Sequence, residues 1–178
     1  MNHITIKNKK FELFLGSEAI QNRITELAKI LSDDLKDKNP VFLGILNGSF
    51  MFAADLLRQL SFDARITFLK LASYKGAKST GDIKQLIGLN ENLTNENVVI
   101  LEDIVDTGLT IEHIMNQISG YKPASVKIVT LLLKSAAYKK NIQLDYIGFK
   151  IPDDFVVGYG LDYEGFGRNY KDIYKIIG

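Results

Sequence analysis

Three stretches of the chain are apolar almost without a break: Val41 to Leu46, Val98 to Leu101, and Val126 to Leu133 with only Lys127 and Thr130 interrupting. Runs of this length suit strands covered on both faces, which is the condition of a central parallel sheet. Small polar turns follow the first two, Asn47-Gly48-Ser49 and Asp106-Thr107-Gly108, and each leads into a helical pattern. Ala53, Leu56, Leu57 and Leu60 share one face of the first predicted helix; Ile111, Ile114, Met115 and Ile118 recur at i, i+3, i+4 and i+7 in the second. An earlier helix starts at Ser17, with Ile20, Ile24, Leu27, Ala28 and Leu31 on one face, Ser17 placed to cap it and Lys36 to Lys38 near its exit. Strand, turn and helix in alternation predict an α/β fold: an open, mainly parallel twisted sheet flanked by helices.

The remaining segments are shorter. Residues 4 to 15 read as two strands around Lys7-Asn8-Lys9-Lys10, either an edge hairpin or part of a hood. Arg65 to Tyr74 reads as a strand, Lys75 to Asp82 as a mobile loop, Ile83 to Leu89 as a strand returning from it, and Asn90 to Asn97 as a polar connector. Tyr146 to Phe149 is a short strand, and Ile151 to Gly158 returns after a turn. The aromatic tail to Ile177 carries Gly158, Gly160, Gly165 and Gly167, but no G-x-G-x-x-G spacing, so it makes no dinucleotide fingerprint.

Composition narrows the functional classes. With 178 residues, 46% of them apolar, the chain can bury one substantial core, and residues 1–178 are expected to form one domain. A net charge of +1 with mixed signs gives no basic surface for nucleic acid or anionic lipid. The absence of cysteine removes disulfides, thiolate metal sites and cysteine nucleophiles. His3 and His113 are the only histidines, which argues against a histidine metal cluster or triad. No apolar run approaches the ~20 residues that span a bilayer, and Met1 to Lys7 lacks the apolar core of a signal peptide, so a soluble cytoplasmic protein is expected.

Chemistry concentrates in Glu102-Asp103-Ile104-Val105-Asp106-Thr107-Gly108-Leu109-Thr110, which places carboxylates at the carboxyl end of a strand and a small turn at a helix N-terminus. Ligands bind at that edge of open α/β sheets because backbone N–H groups and helix dipoles face outward there. Gly108 allows an unusual backbone conformation and Thr107 and Thr110 supply hydroxyls, so the turn suits an anion. Three nearby carboxylates would repel it, a conflict that resolves if the ligand also carries sugar hydroxyls and a magnesium ion. A ribose phosphate has both partners. Taken bare, an Asp-Thr-Gly is also an ordinary capped helix start.

This run resembles the phosphoribosyl-diphosphate signature of the type I phosphoribosyltransferases, and most closely their hypoxanthine-guanine branch. The likeness extends from about Val41 to Arg168. It implies a hood formed by N- and C-terminal segments, near 1–15 and 150–178, over a single phosphoribosyltransferase domain. It implies transfer of 5-phosphoribosyl from 5-phospho-α-D-ribose 1-diphosphate to hypoxanthine or guanine, giving IMP or GMP and pyrophosphate. Under the resemblance, Glu102, Asp103, Thr107, Gly108, Leu109 and Thr110 bind ribose and 5'-phosphate, and Asp106 faces purine N7 as the catalytic carboxylate. Asn47 and Gly48 fall in the pyrophosphate turn, often entered through a non-proline cis peptide in the family, although a basic residue is common where this chain has Asn47. Arg168 matches a second pyrophosphate ligand, and Ser73-Tyr74 the start of the loop that folds over the reacting centre. Lys134 matches the lysine that reads the purine 6-oxo group, Phe155 the aromatic that stacks on the base, and Val156 and Asp162 the base edge. Magnesium (Mg2+) is the implied cofactor, with Glu102, Asp103 and Asp162 as its candidate ligands. Small-molecule substrates and a homodimer or homotetramer are the implied partners, with no nucleic acid and no membrane.

Two rival classes are weaker. A haloacid-dehalogenase-like phosphatase spaces its aspartates as D-x-D, whereas Asp103 and Asp106 stand one residue further apart. A transcriptional regulator on the same fold would want a basic face, and the base-reading set of Lys134 and Phe155 speaks against it.

Overall fold

A computed structural model of the protein describes residues 2–73, 83–87 and 91–177. Its main sheet is built from β3 (Val41–Leu46), β4 (Arg65–Ser73), β5 (Ile83–Ile87), β6 (Asn97–Val105), β7 (Ser125–Lys134) and β8 (Tyr146–Ile151). Their order among the described residues is β5-β4-β3-β6-β7-β8, parallel throughout except for the antiparallel edge pair β4 and β5. The expected mainly parallel sheet is therefore present, with its two chemically richest turns, after β3 and β6, at the carboxyl ends of adjacent strands.

Alternation of side chains along each strand explains why the apolar runs have no polar gaps. Phe42, Val99, Leu101, Val129 and Leu131 face α1 (Ser17–Leu35) and α2 (Phe50–Leu57), where Ile20, Ile24, Leu27, Leu31, Phe52 and Leu56 are buried. Leu43, Ile45, Val98, Ile100 and Ile128 face the other way, onto Ile111, Ile114 and Ile118 of α3 (Leu109–Ser119). Each such side chain contributes about 1.5–3 kcal/mol on leaving water, so the two layers hold the sheet from both sides.

A second sheet joins the two ends of the chain. Its order is β1-β2-β10-β9, all antiparallel, from β1 (His3–Ile6), β2 (Lys9–Leu15), β9 (Val156–Val157) and β10 (Ile173–Ile177). Residues 4–15 thus belong to a hood rather than to an edge hairpin of the main sheet. Ile4, Ile6, Phe11, Val157 and Tyr174 form its own small core. The strand at the end of the aromatic tail, β10, was not foreseen, and it is the one that joins the N-terminal hairpin to β9.

Three local expectations change. Ser17 does not cap α1: Gly16 holds that position, and the Ser17 amide instead donates to Asp172 Oδ1 at 2.7 Å, so the cap comes from the far end of the chain. The connector before β6 is not purely solvated, because Leu93 is fully buried within it. Tyr74 and the segment Lys75 to Asp82, expected to form a loop, lie outside the described residues, as do Gly88 and Leu89 of the returning strand.

Candidate active site

The Glu102–Thr110 run is laid out along the last part of β6 and the turn into α3. All of it except Asp103 lines a cavity of about 210 Å³, together with Ile111. Gly108 has φ +87°, a left-handed conformation that sets the N-terminus of α3 facing outward. Asp106, Thr107, Leu109 and Thr110 are exposed around it, and the first amides of the helix, which have no partner within the helix, point the same way. Behind the turn stand Tyr138 and Lys140, the latter ion-paired to Glu112 in the first turn of α3 at 2.6 Å.

Glu102 is buried, at 4% exposure, next to part-buried Asp103. Burial, followed by the neighbouring Asp103 charge, holds the Glu102 carboxyl well above the usual carboxylate range. Asp103 is also raised by burial, while hydrogen bonds from Glu102 and the backbone, and the Arg168 charge, pull the other way. Both carboxyls are therefore harder to ionise than isolated ones, and a cation or a hydroxyl donor beside them would offset that cost.

The turn after β3 comes against this pair. Leu46–Asn47 is a cis peptide, and a Cβ placed on Gly48 would fall on the Asp103 carboxylate. From the hood, Gly160, with φ +97°, packs on the Gly48 carbonyl so closely that any side chain there would overlap it. Gly160 is held by its neighbour Tyr159, whose buried hydroxyl donates to Asp55 Oδ2 of α2 at 2.5 Å. Gln21 of α1 donates to the same oxygen at 2.6 Å. Burial, then the Asp55 carboxylate, pushes the Tyr159 hydroxyl far up, so it stays a donor.

Arg168 also arrives from the hood. It forms an ion pair with Asp162 Oδ1 at 2.6 Å and donates to the Gly160 carbonyl at 2.6 Å. The other Asp162 oxygen accepts from the Gly165 amide at 2.6 Å, so both oxygens of this candidate metal ligand are engaged.

Lys134 ends β7 with only 8% exposure. Its ammonium lies 3.0 Å from Asp106 Oδ2 and 3.0 Å from Asp153 Oδ1. Burial alone would depress its pKa, but the hydrogen bonds and charges of those two carboxylates outweigh it and raise the group above its ordinary value. Phe155 is 44% exposed, its ring edge-on to Tyr163 with centroids 6.0 Å apart, and the next residue, Val156, is buried in β9. Of the residues singled out in the sequence, Gly48 lies against both Asp103 and Gly160, Asp106 pairs with Lys134, Arg168 pairs with Asp162, and Glu102 neighbours Asp103. Ser73 is described only as the end of β4. Sequence reasoning passed over Asp153 and Tyr159; the Pro152-Asp153-Asp154 turn beside a predicted strand and the Gly158-Tyr159-Gly160 spacing were the available signals.

Fold and site together define an α/β protein that gathers an acidic pair, two strand-to-helix turns and a hood-borne arginine at one sheet edge, the equipment for a phosphorylated sugar ligand. The chain belongs to the phosphoribosyltransferase family: residues 15–164 match the phosphoribosyl transferase domain. It is 42% identical over 168 residues to the hypoxanthine-guanine phosphoribosyltransferase of Staphylococcus epidermidis, covering 94% of this chain and 92% of that protein. The Aquifex aeolicus protein of the same name is 38% identical, with 96% and 97% covered. Among solved structures, a hypoxanthine phosphoribosyltransferase from Staphylococcus aureus superposes with a TM-score of 0.87 at 41% identity, covering 93% of this chain and 91% of that one.

Proposed function

We infer that the chain is a pentosyltransferase of purine salvage, moving 5-phosphoribosyl from 5-phospho-α-D-ribose 1-diphosphate to a ring nitrogen of hypoxanthine or guanine. The bond from the anomeric carbon to pyrophosphate breaks, a carbon–nitrogen bond forms with inversion, and the purine gives up a ring proton. The observation that carries this reading is the ion pair between Lys134 and Asp106. It ties a donor-only group suited to a 6-oxo acceptor to the very turn that suits a ribose phosphate.

In this reading Thr107, Gly108, Leu109 and Thr110 hold the 5'-phosphate through backbone amides and hydroxyls at the start of α3. Glu102 and Asp103 accept from the ribose hydroxyls. The Asn47–Gly48 backbone and Arg168 receive pyrophosphate, Arg168 exchanging Asp162 for phosphate oxygens. Lys134 reads the 6-oxo group, exposed Phe155 stacks on the base, and Val156 and Asp162 border its second edge. Asp106, freed from Lys134, takes the proton at N7. Ser73, the last residue of β4, and Tyr74, outside the described residues, keep the covering-loop role that the family resemblance gives them.

Among the described residues no three His, Asp or Glu side chains come together as a ready cation cage. Magnesium nonetheless fits Glu102 and Asp103, because it is commonly held by one or two carboxylates plus substrate oxygens, and these two stand side by side at the end of β6. When bound there it supplies charge neutralisation to the diphosphate. Asp162 becomes available to it only on release from Arg168. We further propose that residues 1–178 act as one domain, as a cytoplasmic homodimer or homotetramer. No helix among the described residues is long and apolar enough to cross a membrane.

Pyrophosphate release measured with magnesium and phosphoribosyl diphosphate, separately for hypoxanthine, guanine, xanthine and adenine, tests the activity. Turnover with the 6-oxopurines and little with adenine is expected; no turnover with any base would overturn the reading.

A further inference from the structure

Lys134 has a second carboxylate partner to which the reaction outlined above gives no task. Asp153 reaches it from the turn after β8, and the register explains how: Lys134 pairs with Ile151 across the β7–β8 ladder, so the chain two residues beyond Ile151 is carried up beside the ammonium. Phe155 follows two residues later on the same turn. One short segment therefore supplies both the exposed ring and the second anchor of the lysine.

We propose that Asp153 is a positioning residue for purine recognition, holding the Lys134 ammonium aimed at the 6-oxo group while Asp106 turns to the base. The proposal rests on the base-reading role given to Lys134. An ammonium has three donors. Asp106 and Asp153 take two, each at 3.0 Å, leaving the third for a ligand acceptor. Once Asp106 has taken the purine ring proton it no longer carries the charge that pairs with Lys134, so at that point the lysine needs a partner that stays ionised. The Lys134 side chain is 10% exposed, and water cannot replace a lost carboxylate fully there. Asp153, 62% exposed, has no part in the Glu102–Thr110 cavity and keeps the cation paired whichever state Asp106 adopts. Its exposure also means that substitution leaves the core intact.

Steady-state kinetics on the full chain with magnesium test this, comparing wild type, Asp153→Asn, Asp153→Ala, Asp153→Glu and Lys134→Gln. Loss of one charge-assisted hydrogen bond is expected to raise the KM for hypoxanthine and guanine roughly tenfold in the Asn and Ala variants. The KM for phosphoribosyl diphosphate stays within about twofold, the preference for hypoxanthine over adenine falls toward that of Lys134→Gln, and the Glu variant recovers part of the loss. Unchanged purine KM and unchanged base preference in Asp153→Asn overturn the proposal. So does an equal rise in both KM values, which would mark general loosening of the site. A wild-type protein inactive with every base overturns the activity itself and this role with it, whereas an active wild type with an indifferent Asp153→Asn removes only the role of Asp153.

Discussion

The turns after β3 and β6 are written alike in the sequence, as an apolar strand, a few small residues and a helix, yet they are built by opposite means. The first is hemmed in on two sides: Gly48 lies on the Asp103 carboxylate, and Gly160 of the hood closes on its carbonyl. The second is open, with Thr107, Leu109 and Thr110 exposed and the Tyr138 and Lys140 side chains behind Gly108. A turn fixed by its surroundings can offer little but backbone, and its geometry is as reliable as the packing around it. A turn fixed by its own φ angle leaves its side chains free to meet a ligand. Having the two on adjacent strands gives one site a rigid cradle and an adaptable one.

That contrast can be broken experimentally, beginning where the effect is largest. Asp106→Asn, at the open turn, should lower kcat by roughly a hundredfold or more while substrate KM values move much less. Equal turnover in that variant would remove the proton-handling role. At the hemmed turn, Gly48→Ala must displace either the backbone or Asp103, and a shift of that size should cost roughly a hundredfold in kcat/KM for phosphoribosyl diphosphate. Gly108→Ala should be milder. Its Cβ meets Tyr138 Cε2 at 2.6 Å and Lys140 Cγ at 2.8 Å, side chains that can give way, and the left-handed φ adds about 1–2 kcal/mol. A drop in thermal midpoint with a smaller rise in KM than for Gly48→Ala is the outcome that preserves the comparison.

Tyr159→Phe removes the hydroxyl that anchors the hood side of the first turn to Asp55. A loss of about 1 kcal/mol in chemical denaturation is expected, with kcat nearly unchanged. The smallest effect is a pH dependence. Burial pushes Asp55 up, but hydrogen bonds from Tyr159, Gln21 and Arg58 outweigh it and hold the carboxyl below its ordinary 3.8. A depressed native value stabilises the fold above the unfolded pKa, and that contribution is lost as pH falls through the native one. Wild-type stability should thus decline below about pH 3.8 more steeply than that of Asp55→Asn, measured by denaturant midpoints across that range.

What the sequence disclosed follows the reach of each interaction. Val41–Leu46, Val98–Leu101 and Val126–Leu133 were legible because burial on both faces leaves an unbroken apolar run. The Glu102–Thr110 turn was legible because its chemistry is contiguous. Asp172 at the start of α1 was not, since a cap supplied across the fold leaves no local mark, and the nearby Ser17 offered a plausible wrong answer. β10 was hidden because Ile173–Ile177 is short and gains its meaning only from β2 and β9 on either side. Asp153 was hidden for a related reason: a charged residue after Pro152 reads as solvent-facing until the β7–β8 register brings it to Lys134.

The position of β10 between β2 and β9 also bears on how the molecule comes into being during synthesis. The β1–β2 hairpin is synthesised before the other described elements but finds β10 only after all of them have been made. The amide at the head of α1 likewise waits for Asp172. The roof above the sheet is accordingly the last part to set, and the Gly160–Gly48 contact beneath it cannot be completed before the parallel layer has taken shape.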